Sequence, residues 1–407
     1  MKKFPFKNEI HQLLKKYPTP FYVYDEIGIL NSLKKLQNAF SWCEFKEYFA
    51  VKATPTPYIL KILGKNNCGT DCSSLAELYL SEMVNITGEN ILFTSNNTPI
   101  EEYKKAYELG AIINFDDIGH IDKFIKEVGI PKIASIRYTP KEAFGTEIIG
   151  DPVNSKFGMP FNKLLEGYKK MKDIGVKRFG LHAMLVSNTL DEDLIAKNTE
   201  IIFKAVNELS NILNIEYEFI DIGGGFGIPY KPDDKELDLH LLSNNIKELY
   251  EKHFKEFKPK IFTENGRYIT GPHGYLITKV LHIKESYKTY VGVDANMANL
   301  MRPGMYGAYH HISVLGKEGN FKKYDVVGSL CENNDKFAID RELPELEEGD
   351  ILIIHDAGAH GHSMGFNYNG KLRSAEFIYD GNEFKMIRRA QTLDDYFSTI
   401  QGGDIYV

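Results

Sequence analysis

Eight short β-rich runs recur between Phe45 and Arg267, each separated from the next by a stretch of helical periodicity. They are FKEYFAVK (45–52), GTDCSS (69–74), ILFTSN (91–96), AIINFDD (111–117), KIASIRYTP (132–140), RFGLHAMLVS (178–187), EYEFIDIGGG (216–225) and PKIFTENGR (259–267). Segments such as SLAELYLSEMV, IEEYKKAYELG and IDKFIKEVG carry apolar residues at the three- and four-residue spacing of a helix that buries one face. Eight such βα units predict a TIM barrel over residues 26–274. From about Tyr275 the helical period gives way to YLITKVLHIKES, KTYVGVDA, DILIIHDAGA and SAEFIYDG, with Gly and Asn turns. This predicts a second domain, a β-sandwich or β-barrel-like sheet over 275–407, joined by the leading strand FYVYD within 1–25.

Composition narrows the function classes. The 407 residues hold 49 Lys+Arg against 56 Asp+Glu, a net charge of −7 with pI near 6.0, which argues against nucleic-acid binding through bulk positive charge. With 43% hydrophobic and 26% charged residues the chain has material for a large core. No run approaches the ~20 apolar residues of a membrane span, and the basic start MKKFPFKNEIHQLLKK has no apolar stretch of signal-peptide type, so no membrane association and a cytoplasmic location are expected. Cys43, Cys68, Cys72 and Cys331 do not make a disulfide framework. Cys68 and Cys72 lack a second pair at ligand spacing, and the histidines of HDAGAHGHSM (355–364) and the His310–His311 pair lack acids at metal-ligand spacing, so no metal is expected.

A TIM barrel carries its active site at the C-terminal ends of its strands, and reactive side chains gather there. Lys52, Asp71, Arg137, Ser187, the glycines Gly223, Gly224 and Gly225, and Glu264 all fall at or near run ends. Lys52 ends an otherwise apolar run, where a buried amine would be suited to Schiff-base chemistry and an exposed one would simply reach water. DIGGGFGIPY (221–230) offers unobstructed backbone N–H groups to a phosphate but lacks dinucleotide-site spacing. ENGR (264–267) places a carboxylate and a guanidinium together at the last strand end, as an ion pair or as partners for a pyridine nitrogen and a phosphate. The segment 141–156, long and containing Gly and Pro, is compatible with a lid or with an ordered surface loop.

YFAVKA, SKFGM (155–159), DIGGGFGIPY, ENGR, MRPGMYGAYH (301–310), CENND (331–335) and GHSMGFNYN (361–369), in this order, resemble the pyridoxal-phosphate decarboxylases of the alanine racemase and ornithine decarboxylase fold type, and diaminopimelate decarboxylases most of all. The resemblance implies that Lys52 binds pyridoxal 5'-phosphate through its amine and that Glu264 faces the pyridine nitrogen. It implies a phosphate set of Ser187, Gly223 to Gly225, Gly266, Arg267 and Tyr368, and Asp71 and Arg137 are grouped with these cofactor residues. Arg267, Arg302 and Tyr306 match substrate-carboxylate ligands, Glu332 the acceptor of a distal ammonium, and Cys331 the proton donor. Tyr368 is expected to border both cofactor and substrate. In the family the Cys-Glu pair reaches the site of the other subunit, which implies a homodimer with shared sites.

Two departures bear on substrate and cofactor. MLVS (184–187) stands where the family has HIGS, so Met184 replaces a histidine that stacks on the cofactor, and a polarizable thioether can still pack there. FNYNGK (366–371) stands where diaminopimelate decarboxylases have SNYNSR, so Phe366 and Lys371 cannot reproduce a bidentate hold on a distal carboxylate. The expected activity is decarboxylation of a diamino acid, first meso-2,6-diaminopimelate to L-lysine, alternatively D-lysine or D-ornithine. A non-catalytic homologue that binds a regulatory partner is the reading from a different class, and it would be marked by loss of Lys52, Cys331 or the phosphate glycines.

Overall fold

A computed structural model describes residues 2–144 and 152–401. Residues 145–151, the centre of the segment considered as a lid, lie outside the described residues. The chain divides into two compact units: Ile29–Pro229 with Lys235–Ile269, and Met1–Gly28 with Tyr230–Asp234 and Thr270–Val407.

The first unit is a closed barrel of eight parallel strands, each pairing with the next and the last with the first. Numbering the leading strand Phe21–Asp25 as β1, the barrel strands are β2 Phe45–Ala50, β3 Gly69–Cys72, β4 Ile91–Thr94, β5 Ile112–Phe115, β6 Ala134–Tyr138, β7 Phe179–Ala183, β8 Tyr217–Asp221 and β9 Lys260–Thr263. Each lies inside one predicted run. The runs overshoot at their C-terminal ends because Lys52, Ser187, the three glycines and Glu264 sit in the turns that leave the strands.

The two-residue period of a strand sorts the barrel interior by height. Tyr48, Leu92, Ile112, Ile133, Phe219 and Phe262 form one apolar cluster, with the Phe219 and Phe262 rings stacked at 4.5 Å. Gly69 and Gly180 make room for it: a Cβ on the first would lie 2.4 Å from the Tyr48 ring, and on the second 2.0 Å from the Phe219 ring. Two residues further along the same strands the side chains turn polar: Asp71, Thr94, Asn114, Ser135, His182, Asp221 and Glu264. Thr94, Asn114 and Ser135 satisfy one another, Asn114 Nδ2 donating to Thr94 Oγ1 at 2.9 Å and Ser135 Oγ to Asn114 Oδ1 at 2.5 Å. The plug therefore closes one end of the barrel and hands the chemistry to the other.

The second unit is a nine-stranded sheet. β1 runs antiparallel to β10 (Gly274–Glu285) and parallel to β16 (Ala375–Tyr379), so the leading strand lies inside this sheet. Its fully apolar pattern, Phe21, Tyr22, Val23 and Tyr24 all buried, is what a strand covered on both faces requires. The order is β14 (Lys336–Pro344), β13 (Phe321–Val327), β11 (Thr289–Val293), β10, β1, β16 and β17 (Phe384–Arg388), with β15 (Ile351–Ile354) pairing off β10 and β12 (Ile312–Val314) off β15. Tyr230–Asp234 joins this unit rather than the barrel, because the Tyr230 ring lies over the Arg302 guanidinium at 4.6 Å and edge-on to His310 at 5.2 Å. Among the described residues no helix is long and apolar enough to cross a membrane.

Candidate active site

The loops after β7 and β8 are zipped together. Thr189 N–H donates to the Gly225 carbonyl at 3.1 Å and Gly227 N–H to the Thr189 carbonyl at 2.8 Å, while Phe226 N–H reaches Asn265 Oδ1 at 3.2 Å. Glycine is needed where these backbones cross. Gly223 and Gly225 have φ of +73° and +92°, and a Cβ on them would lie 2.3 Å from the Ala183 carbonyl oxygen and 2.1 Å from that of Val186. Ser187 is thereby brought beside the glycine turn. Its hydroxyl and the Gly225 N–H make no hydrogen bond among the described residues, as befits an anion cradle. Gly224 N–H donates to the thioether of Met184 at 3.2 Å, so this sulfur, expected to face the cofactor, is turned onto the loop. Gly266 packs on the end of β2 and the turn after it, where a Cβ would meet Ala53 at 2.5 Å and Ala50 at 3.3 Å, and Arg267 opens the short helix Arg267–Thr270.

Lys52 lies in a 3₁₀ turn directly after β2 and is exposed at the barrel mouth rather than buried. Around the mouth stand Asp71, Asp116, Arg137, His182, Asp221 and Glu264. Arg137, held 4.4 Å over the Phe157 ring, has its guanidinium pulled down by burial against the opposing pull of Asp116, Glu264, Asp71 and Asp221. His182 Nε2 lies 3.2 Å from Glu264 Oε2, and Asp221 accepts from Gly223 N–H at 2.9 Å. His182, Asp221 and Glu264 bring polar atoms within 4.8 Å of one another. Burial drives both carboxyls toward neutrality. At Glu264 the neighbouring His182 and Lys52 overcome it and hold the group below the ordinary carboxylate range, whereas Asp221, buried beside Glu264, rises well above its own. Asp71 rises for the same reasons, burial first and Glu264 second.

Sequence reasoning missed His182, Asp221 and Asp116. The first two were legible, since each stands two residues beyond a plug position, Gly180 and Phe219, in the phase that places Glu264 after Phe262. Asp116 gives no such signal, lying in the turn after β5.

The remaining sequence-predicted residues lie on the sheet unit. Gly304 fastens the helix Arg302–Tyr306 against the loop 328–335, as a Cβ there would stand 2.5 Å from the Asn334 carbonyl oxygen. Asp335 braces that loop, accepting from Leu330 N–H at 2.8 Å and Met297 N–H at 2.6 Å. Cys331 N–H donates to Asn369 Oδ1 at 2.8 Å, which draws in the turn Tyr368–Gly370. Tyr306, Cys331, Glu332 and Tyr368 are thus gathered on one exposed face, while Arg302 is buried.

The family model described as "Pyridoxal-dependent decarboxylase, pyridoxal binding domain" matches residues 28–271. Protein TabA of Pseudomonas amygdali pv. tabaci is 42% identical over 395 residues, 96% of this chain and 93% of that protein. Diaminopimelate decarboxylase of Methanothermobacter thermautotrophicus is 35% identical over 394 residues, covering 94% and 92%. Among solved structures, diaminopimelate decarboxylase of Methanocaldococcus jannaschii superposes with TM-score 0.90 at 30% identity over 97% of this chain and 94% of that one. The Helicobacter pylori enzyme complexed with L-lysine gives 0.88 at 28% identity over 95% and 98%.

Pyridoxal 5'-phosphate fits the residues present. Asp71 Oδ1, Asp116 Oδ1, Arg137 Nε, His182 Nδ1, Asp221 Oδ2 and Glu264 Oε1 are buried atoms without a hydrogen-bond partner among the described residues, all at the mouth of one barrel. So many unsatisfied polar atoms in one place suit a polar ligand. A primary amine, a carboxylate held ionised and a hydroxyl-and-glycine cradle are the kinds of group that could meet its aldehyde, ring nitrogen and phosphate. The chain belongs to the pyridoxal-dependent decarboxylases and is a carboxy-lyase that uses pyridoxal 5'-phosphate.

Proposed function

We propose that this chain removes CO₂ from a diamino acid and that its substrate is meso-2,6-diaminopimelate, with L-lysine as product. What supports this reading most is the near full-length match to diaminopimelate decarboxylases, one of them solved with L-lysine bound. Lys52 would hold the cofactor, Glu264 its ring nitrogen, and Ser187, Gly223 to Gly225, Gly266, Arg267 and Tyr368 its phosphate, with Asp71 and Arg137 beside them. When bound, the cofactor supplies the sink for the electron pair left by departing CO₂. An ionised Glu264 keeps a proton on the group it faces, so that the sink is deepest when charge arrives. Arg267, Arg302 and Tyr306 would orient the substrate carboxylate, Glu332 would take the distal ammonium, and the Cys331 thiol would return a proton to the carbon that loses CO₂. The exposure of Cys331, Glu332, Tyr306 and Tyr368 supports a homodimer in which this face completes the partner's site.

Phe366 and Lys371, in place of the residues expected to hold a distal carboxylate, favour a second reading with the same chemistry and D-lysine or D-ornithine as substrate. Competition among the three amino acids for the purified enzyme with cofactor separates them: the first reading expects diaminopimelate to dominate. Turnover of D-lysine with none of diaminopimelate would overturn it.

A further inference from the structure

We infer that His182 is a positioning residue for the reaction: its Nε2–H donor engages Glu264 Oε2, which keeps the carboxylate ionised and leaves Oε1 as the oxygen offered to the cofactor's ring nitrogen. This rests on the proposed role of Glu264.

Glu264 sits where two acids compete for one proton. Asp221 is fully buried on the adjacent strand, and its Oδ1 is fixed by Gly223 N–H at 2.9 Å. Glu47 is buried beneath, bound to Thr263 Oγ1 and, at 2.5 Å, to Asn265 N–H, the residues flanking Glu264. Asp71, Lys52 and Arg137 face it from the other strand ends, Asp71 adding negative charge and the two cations opposing it. Among crowded carboxyls the proton goes to the one whose ionised form is least supported. His182 points one donor at Glu264, 3.2 Å away; Asp221, held up by burial and by Glu264, is the carboxyl that shares its proton with Glu264, and its own Oδ1 receives a backbone N–H. The imidazole is itself fully buried, its Nδ1 meets no hydrogen-bond partner among the described residues, and Asp116 faces it as a second nearby carboxyl. A carboxylate oxygen can only accept, so the contact with Glu264 Oε2 calls for the proton on Nε2. Without the donor, the proton would shift from Asp221 toward Glu264, and the acid facing the ring nitrogen would lose its charge.

The test loads wild type, His182→Ala, His182→Gln and Glu264→Gln with cofactor labelled with ¹⁵N in the ring and reads the nitrogen's protonation by its NMR shift, beside kcat and KM. Wild type should give a pyridinium signal. His182→Ala should move it toward neutral pyridine and lower kcat roughly tenfold with KM little changed. His182→Gln keeps an N–H donor and should restore both in large part. A pyridinium signal in His182→Ala, with Glu264→Gln displaced, would overturn the inference about His182 alone. No displacement in Glu264→Gln would remove the role of Glu264 instead. Should His182→Ala fail to fold, Asp221→Asn decides: removing the competing acid while keeping an acceptor for Gly223 N–H should leave the pyridinium signal intact, and its loss would overturn the inference.

Discussion

Arg302 Nη1 lies 2.9 Å from His310 Nε2. Arginine can only donate, so this nitrogen carries the lone pair and the His310 proton is on Nδ1, where it reaches the His355 carbonyl at 2.8 Å. Both side chains are buried, and the Tyr230 ring contacts each. The guanidinium is therefore held from two directions. If Arg302 binds the substrate carboxylate, His310→Ala should raise KM about tenfold while kcat stays within about twofold, and His310→Gln, which keeps an acceptor, should fall between. Steady-state kinetics check this, and an unchanged KM in His310→Ala would argue that the pair only packs the sheet.

Lys52→Ala should abolish turnover and the visible absorption of lysine-bound pyridoxal, with thermal unfolding nearly unchanged. The side chain is exposed and makes no packing contribution to the barrel interior, so a stability loss above ~1 kcal/mol would contradict its placement.

Acid should weaken the sheet unit through two histidines. Burial lowers His311 to about 4, helped by Arg341 and Lys2, and lowers His355 to about 3, helped by His311 and Lys2. The unfolded chain protonates near pH ~6.5 while the folded chain does not, so the unfolded state binds more protons below that point. Stability is then full above pH ~6.5 and falls as pH drops toward 4, by up to a few kcal/mol. His355→Gln should unfold more readily at neutral pH yet lose less between pH 7 and 5. Melting curves across that range test this, and an unaltered slope would place the acid sensitivity elsewhere.

Lys52→Ala and Cys331→Ala homodimers should each be inactive. Mixed subunits that share sites across the dimer would form one site with both lesions and one with neither. Activity should return to about a quarter of the wild-type total after random reassortment. No recovery despite demonstrated subunit exchange would mean that each site is built from one chain.

The eight barrel strands were legible because parallel strands buried on both faces leave dense β-rich runs between helical ones, as in IINF and ILFT. Their ends were not, since Lys52 and Ser187 follow apolar residues that continue the pattern past the last ladder bond. Whether Lys52 is buried stays open in the sequence, because period alone does not say how far a strand-end turn rises above the barrel. Motif position says nothing of the contact that the glycine turn makes with Met184, whose sulfur accepts from Gly224 N–H. The pairing of β1 between β10 and β16 joins residues about 250 and 350 positions apart, which no local pattern encodes.

Whether the enzyme turns meso-2,6-diaminopimelate into L-lysine is read by mass spectrometry of the product formed in D₂O. Wild type should give CO₂ and L-lysine in equal amounts, with one non-exchanging solvent deuteron at the carbon that lost its carboxylate, and Lys52→Ala neither product. Diaminopimelate recovered unchanged from cofactor-loaded wild type, while another amino acid is consumed, would contradict the proposed conversion.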